Sequence, residues 1–223
     1  MFSPLRIGFV SISLLLVACA QGGGSGATLS APTAAATPGA SAAATAGASG
    51  ASGASDVDRA FIDMMVPHHE SAIAMAQIAL ERSERQELIA LANDIISAQQ
   101  EEIAQLKGWR LEWFGSDETP SMDAMPLMPG VNMPGMGGMD GQTMDMSKDV
   151  EMLRTAEPFD LEFMQAMIAH HQMAIEAGGI VSAETQVGEL RTLADGMVTS
   201  QTAEIQEMEA WIAEWYPDAS PAM

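Results

Sequence analysis

From Phe61 to Glu81, apolar side chains recur three and four positions apart. Phe61, Met65, His68, Ala72, Met75 and Ala79 share one stripe, with Ile62, Val66, His69, Ile73, Ala76 and Leu80 beside it. Asp63, Pro67, Glu70, Ala74, Gln77 and Glu81 fall opposite, so the segment reads as an amphipathic helix. Four stretches carry this period, and their spacing predicts helices over 57–82, 84–114, 158–182 and 186–216. Ser83 and Thr185 stand at two equivalent breaks where an N-cap is expected, and Gly115 and Pro217 follow the two aromatic ends. Pro158 suits a first helical turn. Pro67 lies inside a helix, where it is expected to bend the axis and free the carbonyl of Asp63.

The pattern is written twice. A shift of 102 residues lays 61–114 on 163–216 without a gap, and 17 of those 54 positions are identical. Each copy is a helical hairpin, and two antiparallel hairpins joined by a long connection (115–157) make an all-α four-helix bundle over 56–216, with a short tail at 217–223.

Polar residues interrupt the apolar faces at matching places. The second helix presents Leu88, Ala92, Ile95, Gln99, Glu102, Leu106, Trp109 and Trp113; the fourth presents Leu190, Ala194, Met197, Gln201, Glu204, Met208, Trp211 and Trp215. A buried carboxylate costs several kcal/mol unless something pairs with it. At 1.5 Å per residue, His68, Gln99 and Glu102 lie about 22, 24 and 28 Å from the first hairpin turn, within one helical turn of each other. One level of the bundle is therefore expected to hold His68, His69, His170 and His171 with Met65 and Met167, backed by Gln99, Glu102, Gln201 and Glu204. Met75, on the His68 stripe, and Met173, beside the second histidine pair, complete the set of candidate ligands on the helices. A polar layer that only fixes helix register is the plainer account of an inward histidine. Here every histidine in the chain belongs to the two equivalent pairs, which favours a metal.

Composition narrows the chemistry. With 30 Asp and Glu against 9 Lys and Arg, the chain carries a formal charge of −21, which argues against a nucleic-acid partner. Its single Cys excludes an intrachain disulfide framework and a CxxC pair. That Cys closes Leu16-Val17-Ala18-Cys19, after Arg6 and the apolar run from Ile7 to Val17. The segment resembles the signal peptide and lipobox of bacterial lipoproteins, so 1–19 is expected to direct export, with Cys19 becoming the lipid anchor. Residues 20–55 contain only Ala, Gly, Ser, Thr and Pro apart from Gln21 and Leu29. Such a segment cannot bury enough apolar surface to fold, and as a flexible tether it spans about 30–35 Å.

Nine of the 19 methionines lie in 121–152, among Pro, Gly and Asp. Met122, Met125 and Met128 are three apart, as are Met133, Met136 and Met139, with Met144 and Met146 following. Packing explains methionine in a helix, but not in a segment expected to be irregular and solvent-exposed. Soft thioether sulfur selects Cu(I), with Ag(I) as its surrogate, and needs no deprotonation to bind.

Met65-Val66-Pro67-His68-His69 with Ala72 and Met75, followed by Gln99, Glu102-Ile103 and Trp109, resembles the signature of the ferritin-like family called domain of unknown function 305. The second copy, Met167-Ile168-Ala169-His170-His171, matches with Ala169 for the proline and Ala177 in place of Met75. The resemblance implies a ferritin-like four-helix bundle, an extracytoplasmic location and an association with copper. The unequal copies argue against two identical sites.

The expected function is a lipid-anchored copper-binding protein of the bacterial cell envelope that buffers, stores or hands on Cu(I), its partners being the metal ion, the membrane and an unidentified transfer protein. It is not expected to be an enzyme. The alternatives are a metal-dependent oxidoreductase, although Met65 and Met167 stand where di-iron bundles carry the Glu of Glu-x-x-His, and a scaffold lipoprotein whose histidines sense pH.

Overall fold

The computed structural model describes residues 53–131 and 143–219. Cys19, the tether up to residue 52, Met133, Met136 and Met139 lie outside the described residues. Four long helices form the bundle: α1 (Asp56–Arg82), α2 (Gln86–Phe114), α4 (Phe159–Glu184) and α5 (Gly188–Trp215). A seven-residue helix, α3 (Ser147–Leu153), and a two-stranded ladder of β1 (Met125–Pro126) and β2 (Thr143–Met144) occupy the connection. Among the described residues no helix is long and apolar enough to cross a membrane.

Helix α1 begins with a reciprocal cap. Ser55 N–H donates to Asp58 Oδ2 at 2.7 Å while Asp58 N–H donates to Ser55 Oγ at 3.3 Å, satisfying two otherwise orphaned donors. The helix then continues through Pro67 without a break in its assignment. Ser83 and Thr185 do not N-cap the following helices as expected; they end α1 and α4, and Arg85 and Val187 are the N-caps of α2 and α5. Each hydroxyl instead accepts from the backbone N–H two residues on, at 3.2 Å from Arg85 and 3.0 Å from Val187. Both following helices start two residues later than the pattern suggested, so the same hydroxyls serve the turn rather than the helix start.

Helix α1 packs on α2, α4 on α5, and α1 on α4. The core divides into two apolar clusters. One joins Phe61 and Met65 of α1 to Leu106 of α2, Met173 and Val181 of α4, and Leu190 and Met197 of α5. The other joins Ala72 and Met75 to Leu88 and Ile95, Phe163 and Met167, and Met208 and Ile212. The N-terminal part of α1 thus lies with the C-terminal part of α4, which makes the two antiparallel. On every helix the polar tier (His68–His69, Gln99–Glu102, His170–His171, Gln201–Glu204) falls between the two clusters. Stacked pairs Trp109–Trp113 and Trp211–Trp215, with centroids 5.4 and 5.3 Å apart, repeat the same geometry in both copies.

The connection departs most from expectation. Its described methionines are not an exposed array: Met125, Met128 and Met146 are buried and Met122 is half-buried against the first cluster. Met125 pairs with Met144 across the ladder, and Met146 N–H donates to Met122 O at 2.8 Å. Leu127 and Met128 pack into one cluster and Val150 and Leu153 of α3 into the other. Arg82 ties this segment to α1 by donating to Leu153 O at 2.7 Å. Pro and Gly exclude a long helix, but they do not prevent a short ladder and one helical turn pair from covering α1. Met125→Ala should therefore lower unfolding free energy by about 2–5 kcal/mol in urea titrations. A midpoint unchanged from wild type would mean that the connector does not pack as described.

Candidate metal centre

Consecutive histidines sit about 100° apart on a helix, so each pair divides between two neighbours. His68 and His170 turn toward each other across the α1–α4 contact, with ring centroids 3.6 Å apart and planes inclined by 36°. His69 turns to α2, where its Nε2 lies 2.7 Å from Glu102 Oε2, although the ring N–H is not aimed well enough at the carboxylate for a hydrogen bond. His171 turns to α5 and its Nε2 donates to Glu204 Oε2 at 2.6 Å. The expected tier therefore exists as two His–Glu pairs flanking one His–His stack.

Burial, followed by the neighbouring imidazoles, holds His68 and His170 well below the ordinary histidine pKa, so both rings are neutral at physiological pH. Their lone pairs are then free to bind a cation. Nδ1 of all four histidines is buried without a hydrogen-bond partner, as are Nε2 of His68 and the side-chain oxygens of Gln99 and Gln201. Such a concentration of unmet polar groups at one level calls for a physical reason, and a bound cation supplies one.

Beside the tier lies a cavity of about 340 Å³ between α1, α4 and the connection. Its wall includes Met75 of α1, His170 and Met173 of α4, and Met144, Met146 and Met152 of the connection, with Asp149 and Glu162 nearby. Five thioethers and one imidazole thus face one space. Burial first, and Asp145 second, raise the Asp149 carboxyl pKa. Met75, Met146, Met173 and His170 are almost fully buried, Met144 is half-buried, and Met152 is 63% exposed at the rim. A larger open groove of about 530 Å³ between α2 and α5 reaches Glu102, but it offers Met197 as its single thioether and no imidazole.

Of the residues expected from sequence, His170, Met75 and Met173 meet in this cavity. Met65 and Met167 do not: each is fully buried in a different core cluster, one turn away on the inner face. His68, His69 and His171 stay in the tier and do not line the cavity. Met144 and Met146 continue the methionine series of the connection, which was their sequence signal. Met152 had none, because its position depends on how α3 lies against α4. Among the described residues no three His, Cys, Asp or Glu side chains group as a metal cage. The donors that converge are mostly sulfur, and they fit a soft, low-charge ion rather than a hard one.

The two depressed histidines set a pH dependence of stability. Below about pH 6.5 the unfolded chain takes up protons at these positions and the folded chain does not, so stability falls with falling pH, from that value down to the folded-state pKa. The slope is at most about 1.4 kcal/mol per pH unit for each histidine. Metal-free protein should lose unfolding midpoint between about pH 6.5 and 5.5, and His68→Gln/His170→Gln should flatten that loss. An equal slope in the double variant would assign the effect to other groups.

CopM, solved in Cu(I)-bound, Cu(II)-bound and Ag-bound forms, is 36%, 38% and 36% identical to the chain, with TM-scores of 0.58, 0.58 and 0.57. Each alignment covers 71% of this chain and 97% of that one. A DUF305 fragment from Deinococcus radiodurans aligns over 73% of this chain and 99% of its own at 26% identity and a TM-score of 0.56. Among curated protein sequences no significant match was found. The family described as domain of unknown function (DUF305) matches residues 58–216, the whole of the bundle with its histidine tier, and the chain belongs to that family.

Proposed function

We propose that this protein binds copper as Cu(I) in the cavity between α1, α4 and the connection, and that it buffers, stores or passes on the ion outside the cytoplasm, held to a membrane by lipidated Cys19. The convergence of Met75, Met144, Met146, Met152, Met173 and His170 on one space carries the reading. CopM, similar over most of the bundle, holds Cu(I), Cu(II) and Ag, and silver shares the soft-donor preference of Cu(I).

The arrangement suits exchange. Exposed Met152 and half-buried Met144 meet an incoming ion first, and the buried thioethers with His170 then replace them one at a time. Thioethers are neutral, so binding releases no proton from sulfur and tolerates an acidic, oxidising compartment. The capture role expected of Met122, Met125 and Met128 passes to Met144 and Met152, since Met125 and Met128 are core residues. The chain's formal charge of −21 draws cations to the surface without choosing among them.

Titration of the metal-free protein with Cu(I) against a competing chelator tests the proposal. Wild type should compete, and Met75→Leu/Met173→Leu should weaken binding by about tenfold or more, on the scale known for metal-site perturbations. Each Met-to-Leu exchange conserves volume and should cost under about 1.5 kcal/mol of stability. Wild-type protein that yields all its Cu(I) to a weak chelator would end the copper reading. A double variant with wild-type affinity would move the site elsewhere.

A further inference from the structure

The two copies are not equal around the His68–His170 stack. In the repeat alignment Met173 corresponds to Ser71, and Met75 corresponds to Ala177. The cavity beside His170 has both thioethers, whereas the equivalent position beside His68 has neither. Met64, the counterpart of Ala166, is fully buried, and its sulfur accepts a hydrogen bond from Met128 N–H at 3.4 Å.

Ser71 does more than fill a place. It is fully buried, its Oγ lies 2.7 Å from His170 Nε2, and it lies 2.7 Å from the carbonyl of its own helix at His68. His170 Nε2 is also 3.1 Å from that same carbonyl. A carbonyl oxygen can only accept, so an unprotonated Nε2 would set two lone pairs against each other. The consistent arrangement has Ser71 O–H donating to His68 O, and His170 Nε2–H donating to both Ser71 Oγ and His68 O. In a neutral ring the proton on Nε2 leaves the lone pair on Nδ1, the atom that is buried without a partner. His68 has no such guide, because neither of its ring nitrogens has a partner.

We infer that Ser71 is a positioning residue for the metal site: together with the His68 carbonyl it accepts from His170 Nε2–H and holds the ring so that Nδ1 is the ligand atom, and thereby makes one histidine of the stacked pair the metal-binding one. The first repeat thus supplies the orienting hydroxyl and the second supplies the imidazole. This rests on the proposed copper site for its consequence, but the tautomer itself is a property of the metal-free protein.

Long-range proton–nitrogen correlation on the metal-free, full-length chain with nitrogen-15-labelled histidine reads the tautomer directly. His170 should carry its proton on Nε2, and added Ag(I) should move the Nδ1 resonance. Ser71→Ala leaves the His68 carbonyl as an acceptor, so Nε2 should stay protonated. Loss of the shorter hydrogen bond should nevertheless free the ring and weaken Ag(I) binding by about tenfold, the lower end of the range for residues that orient a ligand. Ser71→Thr keeps a hydroxyl and should restore the affinity. The proposal is overturned if wild-type His170 carries its proton on Nδ1, a result that needs no variant to fold. It is equally overturned if Ser71→Ala, with an unchanged circular dichroism spectrum, binds Ag(I) as wild type does. Wild-type protein with the expected tautomer that ignores Ag(I) would sink the copper reading and the metal role of Ser71 with it, while leaving the tautomer assignment in place.

Discussion

The antiparallel contact of α1 with α4 forces two imidazoles into van der Waals contact at the centre of an apolar bundle, and much else follows from that placement. With ring centroids 3.6 Å apart and little or no exposure, His68 and His170 cannot both carry a charge, so burial holds them neutral. The outer histidines of each pair are then aimed at α2 and α5, where Glu102 and Glu204 give them carboxylate partners. Those glutamates, half-buried on otherwise apolar helix faces, gain the imidazoles as partners in return. The tier divides the core into two clusters, and a shift of register on any one helix would separate a histidine from its glutamate.

A polar tier alone is not a soft-metal site, and what turns it toward one is the connection. Its two arms are clamped by the Met125–Met144 ladder pair and its C-terminal part is anchored by Arg82 to Leu153. Folded in this way, the segment divides its methionines by role. Met125 and Met128 become core, while Met144, Met146 and Met152 form a wall opposite Met75 and Met173. One residue type serves packing and candidate coordination because a thioether is both apolar and a soft donor.

Repetition provides the scaffold, and its imperfections make the two sides of the histidine stack unequal. Identical residues fix the parts that must match in both hairpins: the His-His pairs, the Gln and Glu partners, and the stacked tryptophans. The differences Met75 to Ala177 and Ser71 to Met173 put both thioethers in the cavity on the His170 side of the stack. A perfect repeat would present two equal half-sites; this one concentrates its donors on one side.

By itself the sequence determined the hairpins, the bundle and the level of the tier, because periodicity, a gapless repeat and a rise of 1.5 Å per residue are local and additive quantities. The residues of the His68–Glu102 tier were legible for that reason, and so was the inequality of the two copies. The tertiary structure decided which candidates meet. Met65 and Met167 stand three positions before the histidines and look like their companions, yet the antiparallel run of α1 and α4 carries them to opposite sides of the tier, into separate clusters. The turn hydroxyls of Ser83 and Thr185 moved from helix start to helix end because boundaries depend on how the hairpin closes. Met152 joined the cavity, and Met125 and Met128 left solvent, because the connection folds back on the bundle. No local period records such a fold-back, since it is stabilised by contacts between residues far apart in the chain.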